Sequence, residues 1–229
     1  TGHILTIEDP IEFLFTNRRS VINQREVGRD TESLQVGLRN ALRQAPDCIL
    51  IGEIRDRETM TAALSYALSG HLVLATMHAN NSHHALNRIL SFYTPEARPA
   101  LLSDLASGLK AVISQRLLKS LQGGRVPAVE VLVATAFVRD CIINPDKTRL
   151  IREAISAGTS QYGMQTFDQS LYDLNKAGLI TYEEALNNAS NPDDFKLRVQ
   201  GIRSTADTAR EEMQQAIEGF DTKAPKRAF

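Results

Sequence analysis

The sequence contains no tryptophan, only two cysteines and no long apolar run. A helix that crosses a bilayer needs roughly 20 successive apolar residues, so we expect no transmembrane segment. Cys48 and Cys141 are too far apart to match a zinc spacing, and the apolar neighbours of Cys48 are typical of a buried thiol. The formal net charge is only -1, so we expect no nucleic acid partner. These absences favour a globular cytoplasmic protein.

Three short apolar runs are present instead, at residues 4–7, 48–51 and 72–76. Continuous apolar runs of this length, rich in β-branched residues, are typical of parallel strands buried on both faces. The first run begins directly after Thr1-Gly2-His3 without an initiator methionine. We therefore expect a processed or truncated chain.

Helical periodicity fills the spaces between these runs. Apolar residues recur on one helical face within residues 32–44 and again within residues 58–69, and Gly70 stands where a helix would end. Strands that alternate with helices predict an α/β fold with a mostly parallel, RecA-like sheet and helices on both faces. Functional groups then collect beyond the carboxyl ends of the strands.

The pattern changes after Pro95. Residues 95–121 predict two helices broken near Gly108, residues 125–133 a last strand at a sheet edge, and the segments beyond 135 only helices. Two of the later helices carry caps: Thr181 with Glu184 forms a capping-box pattern, and Asn191 precedes Pro192. We expect a RecA-like core over 1–135, a small all-helical subdomain over 136–200, and a charged, mobile tail over 201–229.

The strongest chemical signal follows the second apolar run, where Gly52, Glu53, Arg55 and Asp56 stand close together. A carboxylate directly after a buried strand can orient or deprotonate the water that attacks a terminal phosphate, or hold Mg²⁺ through water. The alternative is that Glu53 merely caps the helix that begins near Asp56.

A second cluster follows the first run, where Glu8, Asp9 and Glu12 are separated by Pro10 and Ile11. Three carboxylates so close together repel one another unless a cation or a donor-rich ligand lies among them. Mg²⁺ takes oxygen ligands and keeps several waters, so a carboxylate cluster beside a triphosphate suits it. The alternative is a solvated acidic turn.

Histidines flank the third run. His78 follows the strand and can donate a hydrogen bond to a γ-phosphate, whereas His71 precedes it and therefore belongs to the opposite end of the sheet. His71 is accordingly expected to be structural. His83 and His84 fall on the next helix, where we expect them at the surface, and their spacing with His78 does not suit zinc.

Together these motifs resemble the conserved boxes of the secretion ATPases. Residues 4–12 resemble the Asp box, residues 49–56 an atypical Walker B motif and residues 70–78 the His box, in the same order and spacing. The resemblance covers roughly residues 1–200. Within this superfamily the chain resembles the type IV pilus retraction ATPases of the PilT and PilU type, and PilU above all. Pilus-assembly and type II secretion relatives carry a four-cysteine zinc module near this chain's residues 121–125, which contain no cysteine.

The resemblance implies ATP and Mg²⁺ as cofactors and a role for each motif. Glu53 would polarise the attacking water, and Glu12 would organise Mg²⁺ and water with Glu8 in support. Glu12 and Glu53 would both act on the metal through water, and His78 would sense the γ-phosphate. The remaining candidates are arginines that would contact the nucleotide or a subunit boundary: Arg43, Arg55 and Arg57.

The same resemblance implies an assembly. The family forms six-membered rings, so we expect a homo-hexamer or a mixed hexamer with a paralogous retraction ATPase. Such a ring would lie peripherally at the cytoplasmic face of the inner membrane and would contact the platform protein of the pilus machine.

Three departures from the family pattern qualify this expectation. Gly52 stands where a standard Walker B motif has aspartate, so Mg²⁺ binding must depend on the Asp box. The glycine-rich phosphate loop occurs nowhere in the sequence, so we expect a fragment that does not hydrolyse ATP by itself. Residues 136–143 match only loosely a motif that PilT-type motors need for retraction, which favours PilU.

Three functional hypotheses therefore stand. The first is a motor subunit that hydrolyses ATP to retract type IV pili in twitching motility. The second is an accessory ring protein that docks on the pilus machine, with ATP hydrolysis secondary. The third is a carboxylate-metal nuclease, which the nearly neutral net charge disfavours.

Overall fold

The computed structural model describes residues 2–201. They form two compact units, the first of residues 2–79 with 84–109 and the second of residues 80–83 with 110–201. The units divide the chain at a different place from the boundary predicted after residue 135. The predicted tail lies, from residue 202 onward, outside the described residues.

Unit 1 is built on a four-stranded parallel sheet with the order β2-β1-β3-β4. Its strands are β1 (His3–Glu8), β2 (Val21–Glu26), β3 (Cys48–Ile51) and β4 (Leu72–Ala75). Its helices are α1 (Leu34–Ala41), α2 (Arg57–Leu68), most of α3 (Ser82–Ser91) and α4 (Arg98–Gly108). The predicted α/β class with a mostly parallel sheet is confirmed.

The core of unit 1 lies around the two central strands. Leu5 and Ile7 of β1 and Ile49 and Ile51 of β3 are completely buried, which is typical of continuous apolar runs inside a parallel sheet. The prediction of strands at 4–7 and 48–51 is therefore confirmed.

The outer strands differ from the prediction. β4 was expected to be buried on both faces, but Leu72 and Leu74 are 54% and 48% exposed. β4 ends the described sheet, so no strand among residues 2–201 pairs with its outer side. β2 was not predicted, because its polar residues do not form an apolar run. Two residues of the loop before β2 form hydrogen bonds with this strand. The Asn17 side chain accepts the Ile22 N–H, and the Phe15 N–H donates to the Gln24 side chain.

The helices of unit 1 begin and end at residues with recognisable caps. The Ser33 side chain accepts the Val36 N–H at the start of α1, and the Asp56 side chain accepts the Thr59 N–H at the start of α2. Such caps satisfy backbone donors that have no partner within the helix. After α2, Gly70 adopts a left-handed conformation with φ of 100°, as predicted for its place at a helix end.

Unit 2 begins with an antiparallel hairpin of β5 (Ala111–Lys119) and β6 (Arg125–Val133). The prediction of a second helix within residues 95–121 is wrong, because only the part up to Gly108 is helical. Along β5 the side chains alternate between the two faces, and Ser114 and Leu118 are buried on the inner one. The strand predicted at 125–133 is confirmed.

Beyond residue 135 every described element is helical, as predicted. The elements are α5 (Ala136–Ile143), a 3-10 segment (Pro145–Leu150), α6 (Ile151–Ala157), α7 (Thr159–Tyr162), α8 (Phe167–Lys176), α9 (Tyr182–Asn188) and α10 (Pro192–Val199). Asn191 caps α10, with Pro192 at its first position, as predicted. At α9 the Thr181 side chain accepts the Glu184 N–H, whereas the Glu184 carboxylate accepts the Lys119 N–H instead of completing a capping box.

The helices of unit 2 share a core with the hairpin. Phe167, Leu171 and Phe195 pack in one buried cluster with Leu118 of β5 and Ala128 of β6. This shared core explains why the hairpin belongs to the unit of the helices that follow it. Within residues 2–201, no helix combines the length and the apolar character needed to cross a membrane.

Candidate functional site

The site lies at the carboxyl ends of the parallel strands of unit 1. Ile7 of β1 pairs with Ile51 of β3, and Ile51 pairs with Ala75 of β4. The residues that follow these strands therefore leave the sheet at the same edge, as predicted for an open parallel sheet.

Gly52 allows β3 to end very close to β1. Its backbone N–H donates to the Ile7 carbonyl at 2.8 Å, and a Cβ atom at this position would lie 3.1 Å from Glu8 Cα and 3.2 Å from Ile7 O. These neighbours are backbone atoms, which cannot move aside as a flexible side chain would. The structure thus gives a physical reason for glycine where a standard Walker B motif has aspartate.

Thr76 joins the ends of β3 and β4. Its N–H donates to the Ile51 carbonyl at 3.4 Å, its carbonyl accepts the Ile54 N–H at 2.9 Å, and its hydroxyl donates to the Gly52 carbonyl. The backbone on both sides of Glu53 is therefore tied to the strand that leads to His78. The sequence pattern does not distinguish Thr76 for this role.

Glu53 is the centre of the site. One carboxylate oxygen, Oε1, lies 3.2 Å from His78 Nε2, and the other, Oε2, accepts from Arg55 Nε at 2.6 Å. The Glu53 side chain is only 16% exposed, whereas those of Arg55 and His78 are 60% and 82% exposed. The structure therefore brings together two residues predicted as catalytic, Glu53 and His78, and adds Arg55 as a direct partner of Glu53.

Arg55 also connects the site to the first acidic cluster. Its Nη1 lies 3.7 Å from an oxygen of Asp9. The hydrogen bond to Glu53, and then the negative charges of Glu53 and Asp9, raise the pKa of the Arg55 guanidinium above its usual value. Arg55 therefore stays positively charged throughout the physiological pH range. Asp9 was not among the predicted site residues, although it lies in the acidic cluster between Glu8 and Glu12.

Glu8 is held within the sheet. It is buried, and its Oε1 accepts from the Thr6 hydroxyl at 2.5 Å and from Gln24 Nε2 at 3.1 Å. A buried carboxylate needs such donors, because burial without partners is costly. These contacts fix the Glu8 carboxylate at the end of β1, and its supporting role at the site stays a prediction.

The contacts around Glu53 do not include three other predicted residues: Glu12, Arg43 and Arg57. Glu12 is exposed in the loop after β1. Arg43 lies on the 3-10 turn (Leu42–Gln44) that precedes β3, hence towards the amino end of that strand and away from Glu53. Arg57 begins α2 and places its guanidinium 5.3 Å from the ring centre of Tyr93.

The other histidines occupy the places predicted for them. His71 precedes β4, and its Nδ1 lies 3.1 Å from the Ser69 hydroxyl, in keeping with a structural role at the opposite end of the sheet. His83 and His84 lie in the first turns of α3 and are exposed.

The donor set at the site suits a magnesium ion held through water. Over the described range 2–201, no three carboxylate, imidazole or thiol side chains cluster closely enough to hold a metal ion by themselves. Mg²⁺ commonly takes only one or two protein carboxylates and completes its shell with water and substrate phosphates. Glu53 fits a place in such a shell, and an all-protein cage does not fit here.

Comparisons with known proteins identify relatives of this chain. The type IV pilus ATPase PilU of Pseudomonas aeruginosa is 46% identical over 209 residues, which make up 90% of this chain and 54% of that protein. The type IV pilus retractation ATPase PilT of the same organism is 44% identical over 193 residues, or 84% of this chain and 56% of that protein. The chain thus spans about half the length of these curated relatives.

A solved structure shares the fold. The crystal structure of the pilus retraction motor PilT with bound ADP superposes with a TM-score of 0.74 at 40% identity and covers 85% of this chain and 54% of that one. The family model described as type II/IV secretion system protein matches residues 1–124, which include the whole sheet of unit 1 and its site. The chain belongs to the type II/IV secretion system protein family.

Proposed function

We propose that the chain is part of an ATP-hydrolysing motor subunit that drives retraction of type IV pili in twitching motility. The single observation that carries the proposal is the position of Glu53. Its carboxylate lies just beyond a buried parallel strand, is shielded from most solvent, and faces His78 from the adjacent strand. The names of the relatives, a pilus ATPase and a pilus retractation ATPase, support the same function.

Glu53 would orient and deprotonate the water that attacks the γ-phosphate. A carboxylate within hydrogen-bond reach of that water can accept its proton as the phosphoryl group transfers. In the present arrangement both oxygens of Glu53 have cationic or imidazole partners. The partners are mostly exposed, and exposed ion pairs are weak, so a bound nucleotide can release one oxygen for water.

His78 and Arg55 would report the state of the nucleotide to Glu53. His78 can donate to a γ-phosphate oxygen when one is present and return to Glu53 when it is gone. Arg55 can exchange Glu53 for a phosphate oxygen, because guanidinium binds carboxylate and phosphate with similar geometry. Arg57 and Arg43 remain candidates for nucleotide or subunit-boundary contacts.

The phosphate loop would be supplied by a part of the protein that precedes residue 1. The relatives are longer than this chain, since the matching 209 and 193 residues make up only 54% and 56% of them. The outer strand β4 exposes Leu72 and Leu74 beside an edge with which no strand of residues 2–201 pairs. Another strand there would cover the apolar side chains and pair the edge. By itself the chain would lack the backbone donors and the lysine that hold a triphosphate, and we expect it to be inactive.

ATP and Mg²⁺ are the proposed cofactors. The metal would neutralise charge on the β- and γ-phosphates, with Glu53 and Glu12 held to it through water and Glu8 supporting the edge of β1. Glu12 would have to approach the metal from the exposed loop after β1. Nucleotide binding would move this loop and so complete the site.

The complete protein would act as a six-membered ring. We propose either a homo-hexamer or a mixed hexamer with a paralogous retraction ATPase, peripheral at the cytoplasmic face of the inner membrane and in contact with the platform protein of the pilus machine. Nucleotide at the subunit boundaries would then move one protomer relative to the next.

The test is a Glu53→Gln substitution in the complete protein. The amide keeps the size of the side chain but cannot accept a proton, so phosphate release should fall by about 100-fold or more. Binding of a fluorescent ATP analogue should change little, because ground-state contacts remain. Phosphate release and nucleotide affinity are measured on the same preparation.

Glu58→Gln is the matched control, since Glu58 is a nearby exposed glutamate on α2. This variant should hydrolyse ATP at the wild-type rate. If Glu53→Gln also retains the wild-type rate, then Glu53 is not the catalytic carboxylate and the proposed mechanism fails.

A second candidate function is an accessory ring protein that docks on the pilus machine, with hydrolysis secondary. The observation that favours it is on α5, where Phe137 is 51% exposed and Ile143 is 49% exposed. Exposed apolar side chains on a short helix suit a contact with another protein. Wild-type twitching in a strain that carries only the Glu53→Gln protein would favour docking over the motor.

A further inference from the structure

The connection from β1 to β2 is a loop without a helix. Two parallel strands need a long crossover connection, and a helix usually forms it. Residues 9–20 contain no helical turn, and residues 12–19 are all exposed. Because a loop that buries little apolar surface gains little stability from packing, other contacts set its conformation. Glu12 lies in this loop.

Polar side chains on one face of β1 and β2 supply such contacts. Thr6 pairs with Gln24, and Glu8 pairs with Glu26. Since side chains alternate between the two faces of a strand, all four lie on the same face of the sheet. Oε2 of Glu26 accepts the Ile11 N–H at 3.1 Å. This bond fixes the first part of the loop.

Gln24 holds the same loop immediately after Glu12. Its Nε2 donates to the Phe13 carbonyl at 2.9 Å, and its Oε1 accepts the Phe15 N–H at 2.7 Å. The same Nε2 donates to Oε1 of Glu8 at 3.1 Å, so both N–H donors of the amide are used. These three hydrogen bonds form the Gln24 clamp, which connects the carboxylate at the end of β1 with the loop that carries Glu12.

The contact with Glu8 gives the Gln24 amide its orientation. A hydrogen bond to an ionised carboxylate is roughly twice as strong as one between neutral groups. Glu8 is buried, and the Thr6 hydroxyl donates to it at 2.5 Å. The amide nitrogen of Gln24 therefore faces Glu8, which leaves the amide oxygen to accept the Phe15 N–H.

We propose that Gln24 is a positioning residue that sets the place of Glu12 relative to Glu8. Glu12 lies between Ile11 and Phe13, and each of these neighbours is hydrogen-bonded to a side chain of β2. Glu12 itself is exposed, so packing of its side chain does little to hold it. The Gln24 clamp limits the positions from which Glu12 can approach a metal ion. The clamp is geometry within unit 1, whereas its role towards Mg²⁺ rests on the proposed function.

The first measurement tests the clamp in the chain itself. Gln24→Leu keeps most of the side-chain volume but removes every hydrogen bond of the amide. Exchange of the Phe15 amide proton with water, read by NMR, should become about tenfold faster.

Asn23→Leu is the matched control for this measurement. Asn23 lies next to Gln24 on β2 but on the opposite face, where its Nδ2 lies 2.9 Å from His3 Nε2. This variant should leave the exchange of the Phe15 amide proton unchanged.

The second measurement tests the positioning of Glu12 in the complete protein. Loss of a residue that orients a metal-binding group commonly lowers metal affinity by about 10- to 100-fold. Gln24→Leu should therefore raise the Mg²⁺ concentration for half-maximal phosphate release by about tenfold, with little change in the rate at saturating Mg²⁺. Asn23→Leu should leave this concentration unchanged.

A double variant separates positioning from a general loss of structure. Glu12→Gln should also raise the Mg²⁺ requirement, and Gln24→Leu added to it should cause no further increase. A purely structural effect would instead lower the rate at every Mg²⁺ concentration and would add to the effect of Glu12→Gln.

Gln24→Asn replaces Gln24→Leu if the latter fails to fold. Its side chain is shorter by one methylene group, so the amide cannot reach both Glu8 and the loop. Both measurements should change in the same direction as for Gln24→Leu.

Three results would overturn the proposal. Unchanged exchange at Phe15 would mean that the Gln24 clamp does not hold the loop. Faster exchange with an unchanged Mg²⁺ requirement, or with a lower rate at every Mg²⁺ concentration, would mean that the clamp does not position Glu12. In these last two cases, a raised Mg²⁺ requirement in Glu12→Gln would leave the proposed function intact, whereas an unchanged requirement would also remove the metal role of Glu12.

Discussion

The two units use their polar side chains in opposite ways. In unit 1, Arg55 and His78 stand largely in solvent and meet at the shielded carboxylate of Glu53 beyond the strand ends. In unit 2, Glu130 and Gln169 are buried and satisfy the donors at helix starts. The contacts of Glu53 are therefore with exposed partners that can be exchanged, whereas the contacts of Glu130 and Gln169 are buried.

Packing follows the same division. Unit 1 leaves Leu72 and Leu74 exposed on its outer strand, whereas the helices of unit 2 enclose Phe167 and Phe195 almost completely. The guanidinium of Arg116 lies 4.0 Å from the ring centre of Phe167 and donates to the Asn188 carbonyl at the end of α9. We therefore expect a substitution at Phe167 to destabilise unit 2 more than unit 1.

The largest stability effect is expected for Phe167→Ala. A buried Phe→Ala substitution costs about 3–5 kcal/mol, because it removes apolar contacts and leaves a cavity, and here it also removes the ring under Arg116. Hydrogen-deuterium exchange under native conditions reports the loss segment by segment. Protection in α8, α9 and β5 should fall more than protection in β1 and β3.

The conservative partner of that variant is Phe167→Leu, which keeps most of the volume and should cost clearly less. Equal losses of protection in both units after Phe167→Ala would contradict the view that unit 2 carries its own core.

An intermediate effect is expected for Gly52→Ala in unit 1. The new Cβ would press against backbone atoms of Ile7 and Glu8, and strain of this kind costs about 1–3 kcal/mol. Exchange should accelerate in β1 and β3, and the NMR signals of His78 should shift because the end of β3 moves.

Gly108→Ala serves as the control, since the nearest atoms to its added Cβ are side-chain atoms at 3.6 Å or more. A Gly52→Ala chain with unchanged protection in β1 would show that the two strand ends do not need their close approach.

The smallest effects on stability are expected for the loss of a helix cap. One cap in each unit is compared. Asp56→Ala removes the cap of α2 in unit 1, and Thr166→Ala removes half of the capping box formed with Gln169 in unit 2. Each should cost about 1 kcal/mol, seen as faster exchange in the first turn of the helix concerned.

A marked effect of Asp56→Ala on the change that Glu53→Gln causes in the His78 NMR signals would show that the start of α2 helps to position the site. Ser103→Ala, in the middle of α4, is a control because its exposed residue caps no helix.

Much of unit 1 could be predicted from the sequence because its strands are short and continuously apolar. The apolar runs around Leu5 and Ile49 are typical of buried strands, and the carboxyl ends of parallel strands lie at the same edge of a sheet. The meeting of Glu53 and His78 followed from that geometry. The contacts of Asp9 and Thr76 were not predicted. Which of several adjacent polar side chains points towards the site depends on the backbone conformation, which the sequence pattern does not give.

The incorrect predictions also have physical causes. β5 was predicted as a helix because residues 95–121 are rich in leucine and alanine, and both faces of the strand mix apolar with polar residues. Val112 and Ile113 were the signal for a strand. β4 resembles a buried strand in sequence, but no strand of residues 2–201 pairs with its outer side. The contact between Glu130 and Ser82 could not be predicted, since only the folded hairpin brings these two residues together.

The most direct test of the central claim is a structure of the complete protein with Mg²⁺ and a non-hydrolysable ATP analogue. We expect that Glu53 has left Arg55 or His78 in this complex and that one of its oxygens lies about 2.6–3.2 Å from a water in line with the γ-phosphorus. A terminal phosphate bound elsewhere on the sheet, with Glu53 still paired to both partners, would contradict it.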